Sequence, residues 1–233
     1  GASGIDAAPW NAGVSGYANY FDKVVVDPGV TSYGDMVSMF YGCEKIASVD
    51  MSALTVTDKT TSVEHMFEGC TSITSVRIDG QVWERDAEDF VADVILPAGF
   101  GDGKIRLAES MFAKCSSLYD VALRGFANAE GADLSLMFDQ AFAPVVPATA
   151  PTGSKIRLDL ENTGNGGVLT TRDGDIATTF ENMASNNANL QVITLSDVGC
   201  GTGAGLTSML ENDSALESVE MTRVATGEGA VLN

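Results

Sequence analysis

The sequence predicts an α/β repeat fold, a solenoid of about seven to eight irregular coils with a parallel sheet on one face and short helices on the other. Three observations predict it. A segment of the form M-F-x-x-C recurs at Met39–Cys43, Met66–Cys70 and Met111–Cys115. Each copy is followed at fixed spacing by an apolar pair, Val49 and Met51, Val76 and Ile78, Val121 and Leu123. The period also changes inside each unit. Met39, Cys43 and Ile46 are spaced for one face of a short helix, whereas Val49 and Met51 alternate as in a half-buried strand.

The elements follow in order. Phe21, Val24 and Val26 mark a first strand, and the unit of Met39 leads to a second one ending at Met51. Thr61 with Glu64 has the spacing of a capping box ahead of the Met66 helix, whose unit closes on a strand at Ile78. Val91, Val94 and Leu96 form a weaker copy, and the Met111 unit ends at Leu123. Met137-Phe138 opens a copy that dissolves between Pro144 and Pro151, and its strand resumes at Ile156-Arg157-Leu158. Met183 and Met209 lead two later units that lack Phe and Cys but reach Leu195 and Met221 at the same spacing, the first preceded by a Thr178 and Glu181 capping box. Eight strand ends result, at Val26, Met51, Ile78, Leu96, Leu123, Leu158, Leu195 and Met221. A unit this small cannot bury its own apolar face, so each coil must complete its neighbour's interior. The chain therefore reads as a single domain over 1–233, with insertions near 79–90, 124–136, 143–154 and 161–178.

Composition excludes several classes. With 45% hydrophobic residues the chain has enough apolar content for a core, so wholesale disorder is ruled out. No apolar run approaches the roughly 20 residues of a membrane span, so no direct membrane insertion is expected. Thirteen Lys and Arg against 32 Asp and Glu give a net charge of −19, a field that repels nucleic acid and anionic lipid. Four Cys are too few for a disulfide scaffold in 233 residues. A chain that begins with Gly rather than Met is expected to be a processed product or an excised segment.

Residues Asp50-Met51-Ser52-Ala53-Leu54-Thr55-Val56-Thr57 and Ser62-Val63-Glu64-His65-Met66-Phe67-Glu68-Gly69-Cys70-Thr71-Ser72-Ile73 resemble the BspA-type leucine-rich repeat of bacterial surface proteins. The likeness is close over 39–78, good over 104–123 and positional only over 183–221. It implies a right-handed leucine-rich-repeat solenoid, displayed outside the cell and used for adhesion or recognition of a host or cell-surface protein or glycan. A structural or receptor-binding protein on a virion surface is the alternative, because a rigid acidic stack suits a projecting decoration equally well.

Few residues suggest catalysis or a cofactor, and none is assigned to either. Cys43, Cys70 and Cys115 share one frame position and read as a ladder of small core residues, replaced by Asn187 and Asp213 later, with no C-x-x-C spacing for a metal. Cys200 lies in a Gly-rich loop and is the expected exposed thiol. His65, the only histidine, occupies a slot held elsewhere by Ser38, Ser110, Leu136, Asn182 and Ser208, so it reads as solvent-facing. Gly199 to Gly205 superficially suits a dinucleotide turn but lacks the βαβ context, and reads as a repeat loop. Asp173-Gly174-Asp175, Asp102-Gly103 and Glu84-Arg85-Asp86 match no calcium motif and read as solvated loops.

The outward positions of the strands form the candidate ligand-binding set: Asp50, Arg77, Asp79, Asp120, Arg124, Arg157, Asp159 and Glu220. Stacked on one sheet they would present an open mixed-charge surface for a glycan or an acidic protein segment, or merely pair across strands to solubilise the sheet. Trp83 and the segment Pro144 to Pro151 are rival contact sites, since loops often carry recognition. Reversing Arg77 and Arg124 to Glu is the sequence-level test of the face, expected to abolish capture without unfolding the chain.

Overall fold

The computed structural model describes residues 18–86 and 90–233. Its strands are β1 (Lys23–Val25), β2 (Ser48–Asp50), β3 (Ser75–Ile78), β4 (Val94–Leu96), β5 (Asp120–Arg124), β6 (Arg157–Thr163), β7 (Leu169–Thr171), β8 (Gly174–Ile176), β9 (Val192–Val198), β10 (Gly205–Leu206), β11 (Ser218–Val224) and β12 (Val231–Leu232). Eight of them form one parallel sheet in the order β1-β2-β4-β3-β5-β6-β9-β11. These are the eight strands expected from the apolar pairs. Val24, Val49, Val94, Val76, Val121, Leu158, Ile193 and Val219 lie opposite one another in a continuous column. Val49, Val76 and Val121 are fully buried, whereas Val219 on the last strand is 43% exposed because no further strand covers it among the described residues.

Two expectations are corrected. The first is strand order: β4 sits between β2 and β3 rather than after β3. The chain leaves Ile78, crosses the strand face, and re-enters one place back. Only 18 residues separate Ile78 from Leu96, too few for a full coil of this protein's usual length.

The second correction concerns the helices. Among the described residues there is one short 3₁₀ turn, Ala98–Asp102, and no α-helix. The M-F-x-x-C segments are instead runs of tight turns, and backbone conformation explains why. The residue before each Met has a left-handed φ: Ser38 (52°), His65 (54°), Ser110 (54°), Leu136 (54°), Asn182 (53°) and Ser208 (49°). So does the residue before the Cys position: Gly42, Gly69, Lys114, Gln140, Asn186 and Asn212. Left-handed residues at four-residue intervals interrupt any right-handed helix. The freed amide groups are then shared two ways. Ser38, Phe40 and Gly42 donate forward to the carbonyls of Glu64, Met66 and Glu68 at 2.8–2.9 Å, while Met39, Tyr41 and Cys43 close local turns. The same alternation joins Val63, His65, Phe67 and Gly69 to the Met111 segment, and that segment to the next. Nor do the expected capping boxes form. Thr61 and Ser62 amides are held by Asp35 Oδ1 at 2.8 and 2.7 Å, and Thr178 Oγ1 donates to Gly166 O.

Side chains stack in the same register as the backbone. The ring centroids of Phe40 and Phe67 are 5.2 Å apart, those of Phe67 and Phe112 5.2 Å, and those of Phe112 and Phe138 5.7 Å. Beside them runs the cysteine column. The thiols of Cys70 and Cys115 donate to Phe40 O and Phe67 O at 3.1 and 3.0 Å, one coil back. Asn187 continues the pattern with an amide hydrogen to Phe138 O at 2.9 Å.

Candidate functional site

The site is built on the outward face of the central strands, where two chain excursions meet. Residues alternate across a strand, so Val121 and Leu123 face the core while Asp120 and Arg124 of β5 face out, beside Arg77 of β3 and Arg157, Asp159 and Glu161 of β6. Sequence reasoning expects that face to be open. It is covered instead by the crossing between β3 and β4, and Arg77, Asp120 and Asp159 are only 5%, 7% and 4% exposed. Gln81 fastens the crossing to β5 by accepting from Arg124 N–H at 3.0 Å and donating to Arg124 O at 2.6 Å.

Burying acidic residues requires paired cations, and the crossing brings one. Arg85 contacts Asp120 with one nitrogen at 2.9 Å from Oδ1 and 3.1 Å from Oδ2, and its other terminal nitrogen stands 2.5 Å from Asp159. Arg77 lies 3.1 Å from Asp120 and 3.2 Å from Asp86. Three carboxylates therefore share two guanidinium groups. The segment Glu84-Arg85-Asp86 is accordingly not a solvated loop throughout: Arg85 and Asp86 belong to this buried network. Arg124 is held by Glu161 at 2.7 Å with its guanidinium 4.8 Å from the centre of the Trp83 ring, and Arg77 lies 4.6 Å from that of Phe90.

Beside this network a cavity of about 340 Å³ opens between the crossing and the segment 151–155. Arg85, Phe90, Tyr119, Asp120, Thr152, Ser154, Lys155 and Arg157 are among its walls. Lys155 reaches Glu217 at 2.8 Å, whereas Arg157 makes no side-chain hydrogen bond or ion pair among the described residues. Arg157 is half-buried in the cavity wall.

The eight residues of the candidate set have different fates. Arg77, Asp120 and Asp159 join in the buried network, Arg124 flanks it, and Arg157 lines the cavity. Asp50 accepts from the Ser52 amide and hydroxyl at 3.0 and 2.6 Å, which holds its carboxyl below the usual range. Asp79 and Glu220 are exposed and stand apart from the cavity walls. Sequence reasoning missed Tyr119, Thr152 and Ser154, whereas Lys155 is among the outward strand positions it expects beside Arg157. The available signal was the pair of interruptions, one after Ile78 and one around Pro144 to Pro151, bracketing the same strands.

The remaining singled-out residues have structural partners. Burial raises the pKa of the Cys43 thiol to about 11 and that of Cys115 to about 12, and pushes that of Cys70 well above the usual thiol value. Cys200 is half-buried, its thiol 2.8 Å from Arg223 O. His65 Nδ1 lies 2.7 Å from Glu68, which Lys114 contacts at 2.6 Å from the other side. The Gly-rich loop answers to close packing: a Cβ on Gly201 would stand 1.9 Å from Gly166 O, and one on Gly227 2.2 Å from Gly201 O. Among the described residues no group of three or more His, Cys, Asp or Glu is arranged to hold a metal ion, and no helix is long and apolar enough to cross a membrane. No family model, curated protein sequence or solved structure matches the chain.

Proposed function

We propose that the chain is a non-catalytic recognition module, a right-handed leucine-rich-repeat solenoid of the BspA type displayed outside the cell and binding a protein or glycan of a host or cell surface. The observation that carries the reading is the cavity beside Arg157, whose walls come from two strands and from two separate excursions of the chain. Ligand sites are characteristically concave, with a few convergent polar groups on a preformed scaffold. The scaffold here is stiff where it matters, because the floor is a parallel sheet and the roof is tied to it by Gln81 and Arg85. The M-F-x-x-C segments, whose likeness is to repeats of bacterial surface proteins, supply the class and the location. Screening the full chain on a glycan array and by capture from solubilised surface proteins tests the reading. Retention of a defined glycan or protein supports it, and an empty result in both formats overturns it.

A further inference from the structure

The cavity's chemistry narrows the ligand. We infer that it takes a single carboxylated sugar residue, with Arg157 as the group that reads the carboxylate; this rests on the recognition function proposed above and names its ligand class.

Among the described residues Arg157 is a guanidinium without a carboxylate partner, in a chain that carries 32 acids. Its strand neighbour in register, Asp120, is already engaged by Arg77 and Arg85. A half-buried Arg with free donors offers a planar fork that matches a carboxylate in bidentate geometry. The other walls suit a sugar ring. Thr152, Ser154 and Tyr119 bring hydroxyl groups, Asp86 and Asp120 bring acceptors for sugar hydroxyls, and Phe90 brings an aromatic surface for a C–H face. The volume of about 340 Å³ is at the small end of ligand cavities, fitting one ring rather than a chain. An acidic peptide is less well served. Peptides commonly bind by adding a strand to a sheet edge, and β5 and β6 are both flanked on each side, so no edge reaches the cavity.

The test uses the full chain with D-glucuronate and N-acetylneuraminate as probes, and with glucose, acetate and a Glu-containing tripeptide as comparators. Titration is followed by calorimetry and by ligand-observed NMR. The expected result is millimolar or tighter binding of at least one carboxylated sugar, weakened tenfold or more in Arg157→Gln and partly restored in Arg157→Lys. Because Arg157 bonds to no other side chain among the described residues, Arg157→Gln should keep the parent's circular dichroism and melting temperature. Absence of binding by either carboxylated sugar, equal binding by Arg157→Gln, or preference for the tripeptide would each overturn the inference. If Arg157→Gln still captures the partner found by array or surface capture, recognition stands and only the assignment to this cavity fails.

Discussion

The thiol of Cys115 donates to the carbonyl of Phe67, 3.0 Å away and on the preceding coil. Cys70 does the same to Phe40 at 3.1 Å. A residue that looks like a redox or metal candidate is thus a packed hydrophobe with one weak hydrogen bond. Its burial fixes its reactivity, since the thiolate is the nucleophile and burial holds the thiols neutral. At pH 8 a disulfide reagent should modify at most Cys200 in the native chain, and all four cysteines once denaturant is added. Rapid native labelling of Cys43, Cys70 or Cys115 would contradict the packing described.

The buried network makes Arg77 a structural residue. Arg77→Glu places a further carboxylate beside Asp86 and Asp120, and even Arg77→Ala leaves them short of a cation. Removing one member of a buried ion cluster typically destabilises by about 3–5 kcal/mol. Arg124 has a 40% exposed side chain, so Arg124→Glu should cost much less, within about 1 kcal/mol for the ion pair. Urea unfolding of the two variants separates the cases. The double reversal suggested by the sequence is therefore expected to unfold the chain, and Arg157 is the better probe of this face.

Phe67 lies midway in the aromatic stack, with a neighbour on each side at 5.2 Å. Phe67→Ala should lose about 3–5 kcal/mol from cavity creation, and more than a replacement by Leu. Thermal unfolding measures the difference. Equal stability of Phe67→Ala and the parent would mean that the main-chain ladder alone holds adjacent coils.

Asp213 occupies the frame position of the cysteines and is 8% exposed. Its Oδ1 accepts from the Asn187 amide at 2.8 Å, and burial nevertheless raises its pKa from 3.8 to about 7. A carboxyl whose folded pKa exceeds its unfolded value favours folding fully below the unfolded pKa, and that stability is lost as pH rises through the folded one. Stability should therefore fall between pH 4 and pH 7 and level off above. Asp213→Asn keeps the acceptor and removes the titration, so it should gain about 2–4 kcal/mol at pH 8 and little at pH 4. Unfolding curves at both pH values decide it.

What was legible in the sequence followed from period and burial. The pairs Val49–Met51, Val76–Ile78 and Val121–Leu123 specify strands with one buried face, and all align in one sheet. The helical reading of Met39, Cys43 and Ile46 failed because spacing reports which residues face inward, not how the backbone brings them there. Non-glycine residues such as Ser38, His65 and Leu136 adopt left-handed φ without advertising it, and the coil-to-coil hydrogen bonds that hold them there are invisible in one repeat. The site was half legible for a similar reason. Alternation correctly put Arg77, Asp120, Arg157 and Asp159 on the outward side. Only the path of the chain after Ile78 decides that a roof covers most of them and leaves Arg157 beside a cavity.

The turn ladder has an electrical consequence. Its inter-coil amides point in one direction, from Phe40 to Met66, Phe67 to Met111, Phe112 to Met137, Phe138 to Met183 and Ala184 to Met209. Peptide moments aligned head to tail sum rather than cancel. Along this ladder the main chain therefore contributes an axial polarity, with its positive pole at the Asn212 end and its negative pole at the Ser38 end.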